Sequence, residues 1–309
     1  ASWLEDQDFW RFSGIFRDVY LYAVPEIHVR DMKVIADFDY ENGNGILTTE
    51  LNIIGEKDFS INLTLTDKNG NKIYESDTAN VTTSIPNVKP WSAENPYLYT
   101  LIAEISSNGE IVETAETKVG FRTFELKNGI MCLNGKRIIF KGINRHEWNA
   151  NGGRVVTEED MLWDIRFMKK YNLNAVRTCH YPNQSLWYKL CDRYGVYLID
   201  ETNLESHGSW QKLGACEPSW TVPGSRPEWK ACVLDRANSM FQRDKNHPSV
   251  LIWSLGNESY AGTCHEAMAN FFREADDTRL VHYEGCFWNR EFDHVSDMES
   301  RMYAKPLDI

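Results

Sequence analysis

Residues 249–259 read Ser-Val-Leu-Ile-Trp-Ser-Leu-Gly-Asn-Glu-Ser and directly follow a His-Pro pair. The apolar run is too short for a helix and contains β-branched Val250 and Ile252, so it predicts a buried strand. The chain then becomes polar and acidic at Asn257 and Glu258. A carboxylate at the C-terminal end of a buried parallel strand is where an α/β barrel carries its chemistry. The alternative is a strand-end turn whose Glu258 faces water, and this segment alone does not separate the two.

The sequence around this strand alternates strands with helices. A capping box at Thr157 and Asp160 predicts the start of one helix. The remaining predicted elements are strands at 175–177, 196–201, 250–254 and 280–283 and helices at 185–194, 228–244 and 265–274. This βαβ rhythm predicts a (β/α)8 TIM barrel, truncated after its fifth or early sixth strand. A doubly wound sheet is the second choice, because no Gly-rich phosphate loop follows any strand.

The N-terminal part of the chain predicts β structure only. About seven short alternating runs lie between residues 28 and 121, separated by turn signals such as Asn42-Gly43 and Asn108-Gly109. Such a pattern is typical of an immunoglobulin-like β-sandwich, although the Cys-Trp-Cys framework of antibody domains is missing. Residues 1–29 begin without a start signal for a helix or strand. We expect them to be the tail of a preceding all-β domain.

Composition limits the classes of partner. The 309 residues carry a formal charge of −12, which disfavours nucleic acids and anionic membranes and is compatible with a neutral sugar. No apolar run approaches the roughly 18 residues that a membrane span needs. The seven cysteines are scattered without a CxxC pair, which argues against a zinc or redox motif. They are typical of reduced thiols and favour a cytoplasmic protein.

Polar residues gather just after each predicted strand. In a parallel barrel these positions share one face, so distant residues converge there. They comprise residues 144–147; Arg177, Cys179, His180 and Tyr181; Asp200, Glu201, Asn203, Glu205 and His207; Asn257 and Glu258; and His282, Tyr283 and Glu284. This convergence favours an active site over chance surface placement.

Two functions follow from the types of residue at these strand ends. Glu205 and His207, at i and i+2, together with Glu258, suit a hard cation such as Mg2+ or Mn2+ better than zinc. Glycoside hydrolysis needs two carboxyls across the scissile bond, and Glu258 is the best candidate for the acid. Glu284 is a possible second carboxyl, but nothing in the sequence singles it out.

Several motifs resemble those of glycoside hydrolase family 2, and within it the bacterial lactose-cleaving β-galactosidases. The resemblance runs in order over nearly the whole chain and is weakest in the predicted sandwich. Its segments are residues 4–8 with Trp10, 13–19, 142–147, 174–177, 180–183, 190–195, 200–201, 205–208, 243–250 and 253–259.

The resemblance implies a retaining double displacement with Glu258 as acid/base. It implies that Glu205, His207 and Glu258 hold Mg2+, and that His146, His180 and Asn257 contact the galactosyl group or stabilise the transition state. Asp8 would bind the sugar and a nearby Na+. The implied domains are a jelly-roll tail at 1–29, the immunoglobulin-like sandwich at 30–121 and an incomplete TIM barrel at 122–309.

The sequence departs from the family in one important respect. The family's nucleophile is a glutamate at a later barrel strand, and no such motif occurs by Ile309. We therefore expect a fragment of a larger, homo-oligomeric enzyme that is inactive alone. The parent protein could alternatively be periplasmic or secreted. For its function, the alternatives are a β-glucuronidase or β-mannosidase, or a non-catalytic carbohydrate-binding relative. The stretches Leu-Glu-Asp-Gln-Asp (4–8) and Glu-Ser-His-Gly (205–208) favour galactosides over glucuronides and mannosides as substrates.

Overall fold

A computed structural model describes residue 4, residue 12, residues 14–213, residues 215–305 and residue 307. The described residues form a β-sandwich followed by a parallel α/β unit, in the order that the sequence predicts. None of the helices in these ranges has the length and apolarity needed to cross a membrane.

The sandwich consists of seven strands among the described residues, in two antiparallel sheets. One sheet is formed by β1 (His28–Asp39), β2 (Asn44–Ile54) and β5 (Val81–Ile85). The other has the order β4 (Lys72–Ser76), β3 (Ser60–Thr66), β6 (Tyr99–Ser107) and β7 (Glu110–Val119). Alternate residues of β6 are buried, because successive side chains of a strand point to opposite faces. The prediction of a seven-stranded sandwich is confirmed.

A hairpin links the sandwich to the α/β unit. It comprises β8 (Phe124–Lys127), β9 (Ile130–Leu133) and β10 (Lys136–Arg137). Asn134 and Gly135 have φ values of 51° and 74°, as the type I′ turn of a two-residue hairpin requires.

The α/β unit contains five parallel strands among the described residues. They are β11 (Gly142–Arg145), β12 (Ala175–Thr178), β13 (Tyr197–Glu201), β16 (Val250–Ser254) and β17 (Leu280–His282), adjacent in that order. The helices between them are α1 (Glu158–Lys170), α2 (Ser185–Tyr194), α4 (Pro227–Asp244) and α5 (Thr263–Ala275). The strand order follows the chain without reversal, whereas a doubly wound sheet reverses at its switch point. This order is that of a partial TIM barrel.

The connection after β13 contains short elements that the sequence does not predict. They are α3 (His207–Trp210), β14 (Gln211–Lys212), β15 (Ala215–Cys216) and a 3-10 turn at Pro218–Trp220. Two further 3-10 turns, Glu284–Phe287 and Arg290–Val295, follow β17. Periodicity over so few residues is too weak to identify such elements.

The segment before β1 forms no strand within residues 14–27. The side chains of Ile15, Val19 and Leu21 are largely exposed. Arg17 joins this segment to the barrel through a 2.7 Å ion pair with buried Glu147. The assignment of residues 1–29 to a jelly-roll domain, and the other domain boundaries, remain predictions.

Candidate active site

A cavity of about 650 Å³ opens at the C-terminal ends of the parallel strands. The strands deliver polar residues there because they all run in the same direction. The lining includes His180, Glu205, His207, Asn257, Glu258 and Glu284. Five of these six residues are among the predicted site residues or the metal set, and the sixth, Glu284, is the possible second carboxyl that no sequence feature singles out.

A buried ion pair lies behind the cavity. Glu201, at the end of β13, accepts hydrogen bonds from Arg177 Nε, from His180 Nδ1 (2.7 Å) and from Ser254 Oγ (2.7 Å). Burial by itself would raise the pKa of Glu201, but Arg177 and these hydrogen bonds lower it to about 2. Glu201 is therefore an ionised carboxylate that orients its neighbours.

Arg177 and Asn257 extend this network toward the cavity surface. Arg177 Nη2 donates to Asn257 Oδ1 at 2.8 Å, and Asn257 Nδ2 donates to Glu205 Oε1 at 3.1 Å. The two amide atoms of Asn257 are thus assigned by their partners, because a guanidinium only donates and a carboxylate accepts. The chain from Glu201 through Arg177 and Asn257 fixes Glu205 at the cavity wall.

The turn that carries Glu258 requires a glycine. Gly256 has a φ of 138°, and a Cβ at this position would lie 2.6 Å from the carbonyl oxygen of Leu204. The next amide, of Asn257, donates to that same carbonyl at 2.8 Å. Glu258 is held further by its own carbonyl, which accepts from Trp210 Nε1 at 2.8 Å. Its side chain remains 20% exposed at the cavity, so its carboxyl is accessible.

The predicted cation ligands lie on the same cavity. Nδ1 of His207 is 3.9 Å from Oε2 of Glu258, and Glu205 is buried beside them. Two carboxylates and an imidazole with open space between them suit an oxygen-preferring cation with bound waters. These residue types suit Mg2+ or Mn2+, and that Glu205, His207 and Glu258 hold such an ion stays a prediction.

Glu284 is the principal residue whose character the sequence did not reveal. It is 3% exposed, and within the described ranges its Oε1 has no hydrogen-bond partner. Burial is the main cause that raises its pKa, to about 7; Arg177 lowers the pKa, while Glu258 and Glu201 raise it. Near neutral pH this carboxyl is partly protonated, which makes it a poor nucleophile.

A second group of histidines lies at the ends of neighbouring strands, and His180 and His282 of this group line the cavity. The rings of His146 and His180 pack edge to face at 5.5 Å, and Nδ1 of His146 is 3.4 Å from Tyr181 Oη. His282 lies behind them, with Nδ1 3.0 Å from Ser254 Oγ. Burial and then Arg177 lower the pKa of His282 to about 4, so this imidazole is neutral. Asp8 lies outside the described residues, so its predicted contact with sugar and Na+ remains a prediction.

Comparison with known families matches two adjoining regions of the chain. Residues 27–122 match the family described as "Glycosyl hydrolases family 2". Residues 124–308 match "Glycosyl hydrolases family 2, TIM barrel domain".

Curated relatives match the chain over its whole length. A β-galactosidase of Streptococcus thermophilus is 59% identical over 317 residues, which are 100% of this chain and 31% of the relative. A β-galactosidase of Clostridium acetobutylicum is also 59% identical, over 100% of the chain and 35% of the relative. The chain thus spans about a third of the length of these relatives.

Solved structures share the fold at lower identity. The structure of a β-D-glucuronidase from Dictyoglomus thermophilum has a TM-score of 0.73 and 25% identity. The match covers 83% of this chain and 44% of that one. Both the sandwich and the partial barrel are therefore known as neighbouring parts of larger proteins.

Proposed function

This chain belongs to family 2 of the glycosyl hydrolases, and we propose that it carries the acid/base side of a β-galactosidase. The enzyme would cleave terminal, non-reducing β-D-galactosyl groups from β-galactosides such as lactose. The observation that carries the proposal is the 59% identity, over all of this chain, to proteins named β-galactosidase. A homo-oligomeric state and a cytoplasmic setting remain proposals of the same kind.

The proposed reaction is a retaining double displacement. Glu258 donates its proton to the glycosidic oxygen while the bond from that oxygen to the anomeric carbon breaks. In the second step Glu258 removes a proton from the water that attacks the glycosyl-enzyme intermediate. The supporting observation is that Glu258 is partly exposed at the cavity, on a turn held by Trp210 and Gly256.

His146, His180 and Asn257 are proposed to bind the galactosyl group. Glu201 is an acceptor for Nδ1–H of His180, which leaves Nε2 of that ring to accept from a sugar hydroxyl. Asn257 is fixed by Arg177 and Glu205, so its position does not depend on the substrate. Such preorganisation avoids the cost of ordering side chains during the reaction.

Glu205, His207 and Glu258 are proposed to hold Mg2+ or Mn2+, and Asp8 to hold Na+ beside the sugar. When bound, the divalent cation would offset the repulsion between the two carboxylates and fix Glu258 near the leaving group. The support for this set is its shared cavity and the 3.9 Å separation of His207 and Glu258.

We expect the 309 residues alone not to turn over substrate. Retaining hydrolysis needs an ionised carboxylate about 5 Å from the acid/base. The other carboxyls lining the described cavity are Glu205, which we assign to the cation, and Glu284, which is buried and partly protonated. The nucleophile therefore has to come from outside the described cavity lining.

β-Glucuronidase activity is the second candidate, favoured by the solved structures that share the fold. A glucuronide carries a carboxylate, which binds most strongly to a cationic side chain that is available to pair with it. The cavity's arginines are already paired, Arg177 with Glu201 and Arg301 with Glu299. The charge distribution therefore favours a neutral galactoside.

The test compares a β-galactoside and a β-glucuronide that carry the same nitrophenyl leaving group. We expect kcat/KM for nitrophenyl β-galactoside to exceed that for the β-glucuronide by at least about 10³-fold, because buried, unpaired charge is strongly rejected. The measurement uses the longest natural polypeptide that carries this chain, with the 309-residue chain assayed in parallel. Equal rates, or a preference for the glucuronide, would overturn the proposed specificity.

A further inference from the structure

A second set of metal-ligating side chains lies at the ends of two neighbouring strands, next to the cavity that His180 lines. His146 follows β11, and Cys179 and His180 follow β12. One ligand atom from each of the three residues lies within 4.8 Å of the other two, and among the described residues this is the cluster that meets that criterion. None of its members belongs to the proposed Mg2+ set. The sequence rule that looks for CxxC pairs cannot find it, because His146 is 33 positions before Cys179 in the sequence.

The distances are compatible with a tetrahedral ion after a small adjustment. Zinc bonds to sulfur and nitrogen of roughly 2.0–2.3 Å place the ligand atoms about 3.3–3.8 Å apart. The three ligand atoms lie within 4.8 Å of one another, so the side chains have to close by up to about 1.5 Å. Rotation about side-chain bonds supplies such a change without moving the strands.

The carboxylate behind His180 is placed as carboxylates are placed behind zinc-binding histidines. Nδ1 of His180 is 2.7 Å from Oε1 of Glu201, and Glu201 is ionised because it also pairs with Arg177. A carboxylate can only accept, so Nδ1 carries the hydrogen and Nε2 carries the lone pair. A carboxylate behind a histidine fixes its tautomer and raises the basicity of the ligating nitrogen.

We propose that His146, Cys179 and His180 form a site for a thiophilic divalent cation of the zinc class. One sulfur and two imidazoles favour such an ion over Mg2+, which prefers oxygen ligands. Binding converts the Cys179 thiol to a thiolate, so each ion bound releases one proton to solvent. With three protein ligands, the fourth position stays open to water.

Occupation of this site inhibits the enzyme. This consequence rests on the proposed function, in which His146 and His180 contact the sugar. A cation on both rings would take the lone pairs that sugar hydroxyls need. Inhibition should therefore be competitive with the galactoside, and a chelator followed by Mg2+ should reverse it.

The binding test uses the longest natural polypeptide that carries this chain, in excess Mg2+ to fill the proposed oxygen-rich site. Titration with Zn2+ in calorimetry should show one tight site with about one proton released, judged from buffers of different ionisation heat. Cys179→Ser should weaken binding by at least about tenfold. Cys216→Ser is the matched control, because it removes an exposed thiol elsewhere, and it should bind as the wild type does.

A spectroscopic measurement keeps the test decisive if Cys179→Ser does not fold. Co2+ bound to the wild type should give the intense near-ultraviolet band of a thiolate-to-cobalt transition, and Cys216→Ser should retain that band. Equal Zn2+ affinity in folded Cys179→Ser, or a cobalt spectrum without the thiolate band, would overturn the site. Because binding is measured without turnover, an absence of galactosidase activity in the longest natural polypeptide that carries this chain would refute the proposed function and leave this result intact.

Discussion

Glu258 and Glu284 lie beside each other yet differ sharply in environment. The side chain of Glu258 is 20% exposed, whereas Glu284 is buried and its pKa is raised to about 7, chiefly by burial. The difference explains why one acid is suited to exchange protons with substrate and water. Glu284 remains a buried, partly neutral group in the cavity lining.

Both acids follow predicted strands, but the sequence distinguished only Glu258. Its neighbours Gly256 and Asn257 made the strand end recognisable. The burial of Glu284 depends on the 3-10 turn at Glu284–Phe287, which periodicity does not reveal. The same holds for Cys179, whose proximity to His146 is set by how two separate strand ends pack.

A third residue, His265, predicts how stability changes in acid. It is fully buried against the ring of Tyr283 at 4.4 Å, and neither ring nitrogen has a partner in the described part of the chain. Burial lowers its pKa to about 3. The unfolded chain therefore binds the proton first, and stability is present above about pH 6.5 and is lost as the pH falls toward 3.

His265→Phe should remove this acid sensitivity. Between pH 7 and pH 4.5 we expect the variant to lose roughly 2–3 kcal/mol less of its unfolding free energy than the wild type loses. Urea titrations at each pH measure the difference. A constant difference in unfolding free energy between the two proteins at pH 7 to 8 reflects packing and is subtracted. The titration of Glu284 acts in the opposite direction, but both proteins share it, so it cancels in the comparison. Parallel pH profiles would refute the assignment.

At the scale of elements, helix α2 orients the strand that carries the acid. Asp192 on α2 accepts from the amide of Ser249 at 3.1 Å and from its hydroxyl at 2.6 Å. The same carboxylate pairs with Nδ1 of His247. Asp192 is buried, so these contacts tie the start of β16 to the helix layer. The His-Pro-Ser motif before the strand therefore has a structural role.

Asp192→Asn should destabilise the barrel by about 1–3 kcal/mol, because an amide cannot accept all three hydrogen bonds and leaves buried donors unpaired. The midpoint of urea unfolding measures the loss. Asp235→Asn, an exposed substitution on α4, serves as control and should stay within about 0.5 kcal/mol of the wild type. Equal urea midpoints for Asp192→Asn and Asp235→Asn would show that the hydrogen bonds of Asp192 do not stabilise the barrel.

Helices were easier to predict than the long connection after β13. Helix α1 begins at its predicted capping box, with Thr157 and Asp160 bonded reciprocally. Helix α2 spans the predicted residues 185–194. Between residues 202 and 226 the elements have two to four residues each, and their positions depend on tertiary contacts such as Trp210 with the Glu258 carbonyl.

At the scale of the whole molecule, the sandwich is anchored to the barrel at the strand of the active site. Buried Arg122 donates to the carbonyls of Pro248 (3.0 Å) and Val250 (2.9 Å). Trp91 Nε1 donates to the Asp192 carbonyl at 2.9 Å. Burial lowers the pKa of Arg122 to about 9, so the residue remains charged at neutral pH. The sandwich therefore braces β16 from the end opposite to Glu258.

Arg122→Met should uncouple the unfolding of the sandwich from that of the barrel. Loss of the guanidinium leaves the buried Pro248 carbonyl without its donor, whereas the Val250 carbonyl keeps Arg279 Nε at 2.8 Å. We expect about 1–3 kcal/mol of destabilisation. Wild-type unfolding should be a single transition by far-ultraviolet circular dichroism and tryptophan fluorescence, whereas the variant should show divergent midpoints. Arg193→Met, at an exposed position of α2, is the control. If both probes report the same transition in Arg122→Met, at the midpoint of the wild type, then the sandwich does not stabilise β16 through Arg122.

The proposed proton donation by Glu258 can be tested directly with two substrates that differ in their leaving groups. In the longest natural polypeptide that carries this chain, at saturating Mg2+, Glu258→Gln should lower kcat/KM for lactose by about 10²–10⁴-fold. The dinitrophenolate of dinitrophenyl β-galactoside leaves without protonation, so the first step on that substrate should lose far less. Glu266→Gln, at a partly exposed position, should leave kcat/KM for both substrates unchanged. An equal loss on both substrates, or none on lactose, would contradict an acid/base role for Glu258.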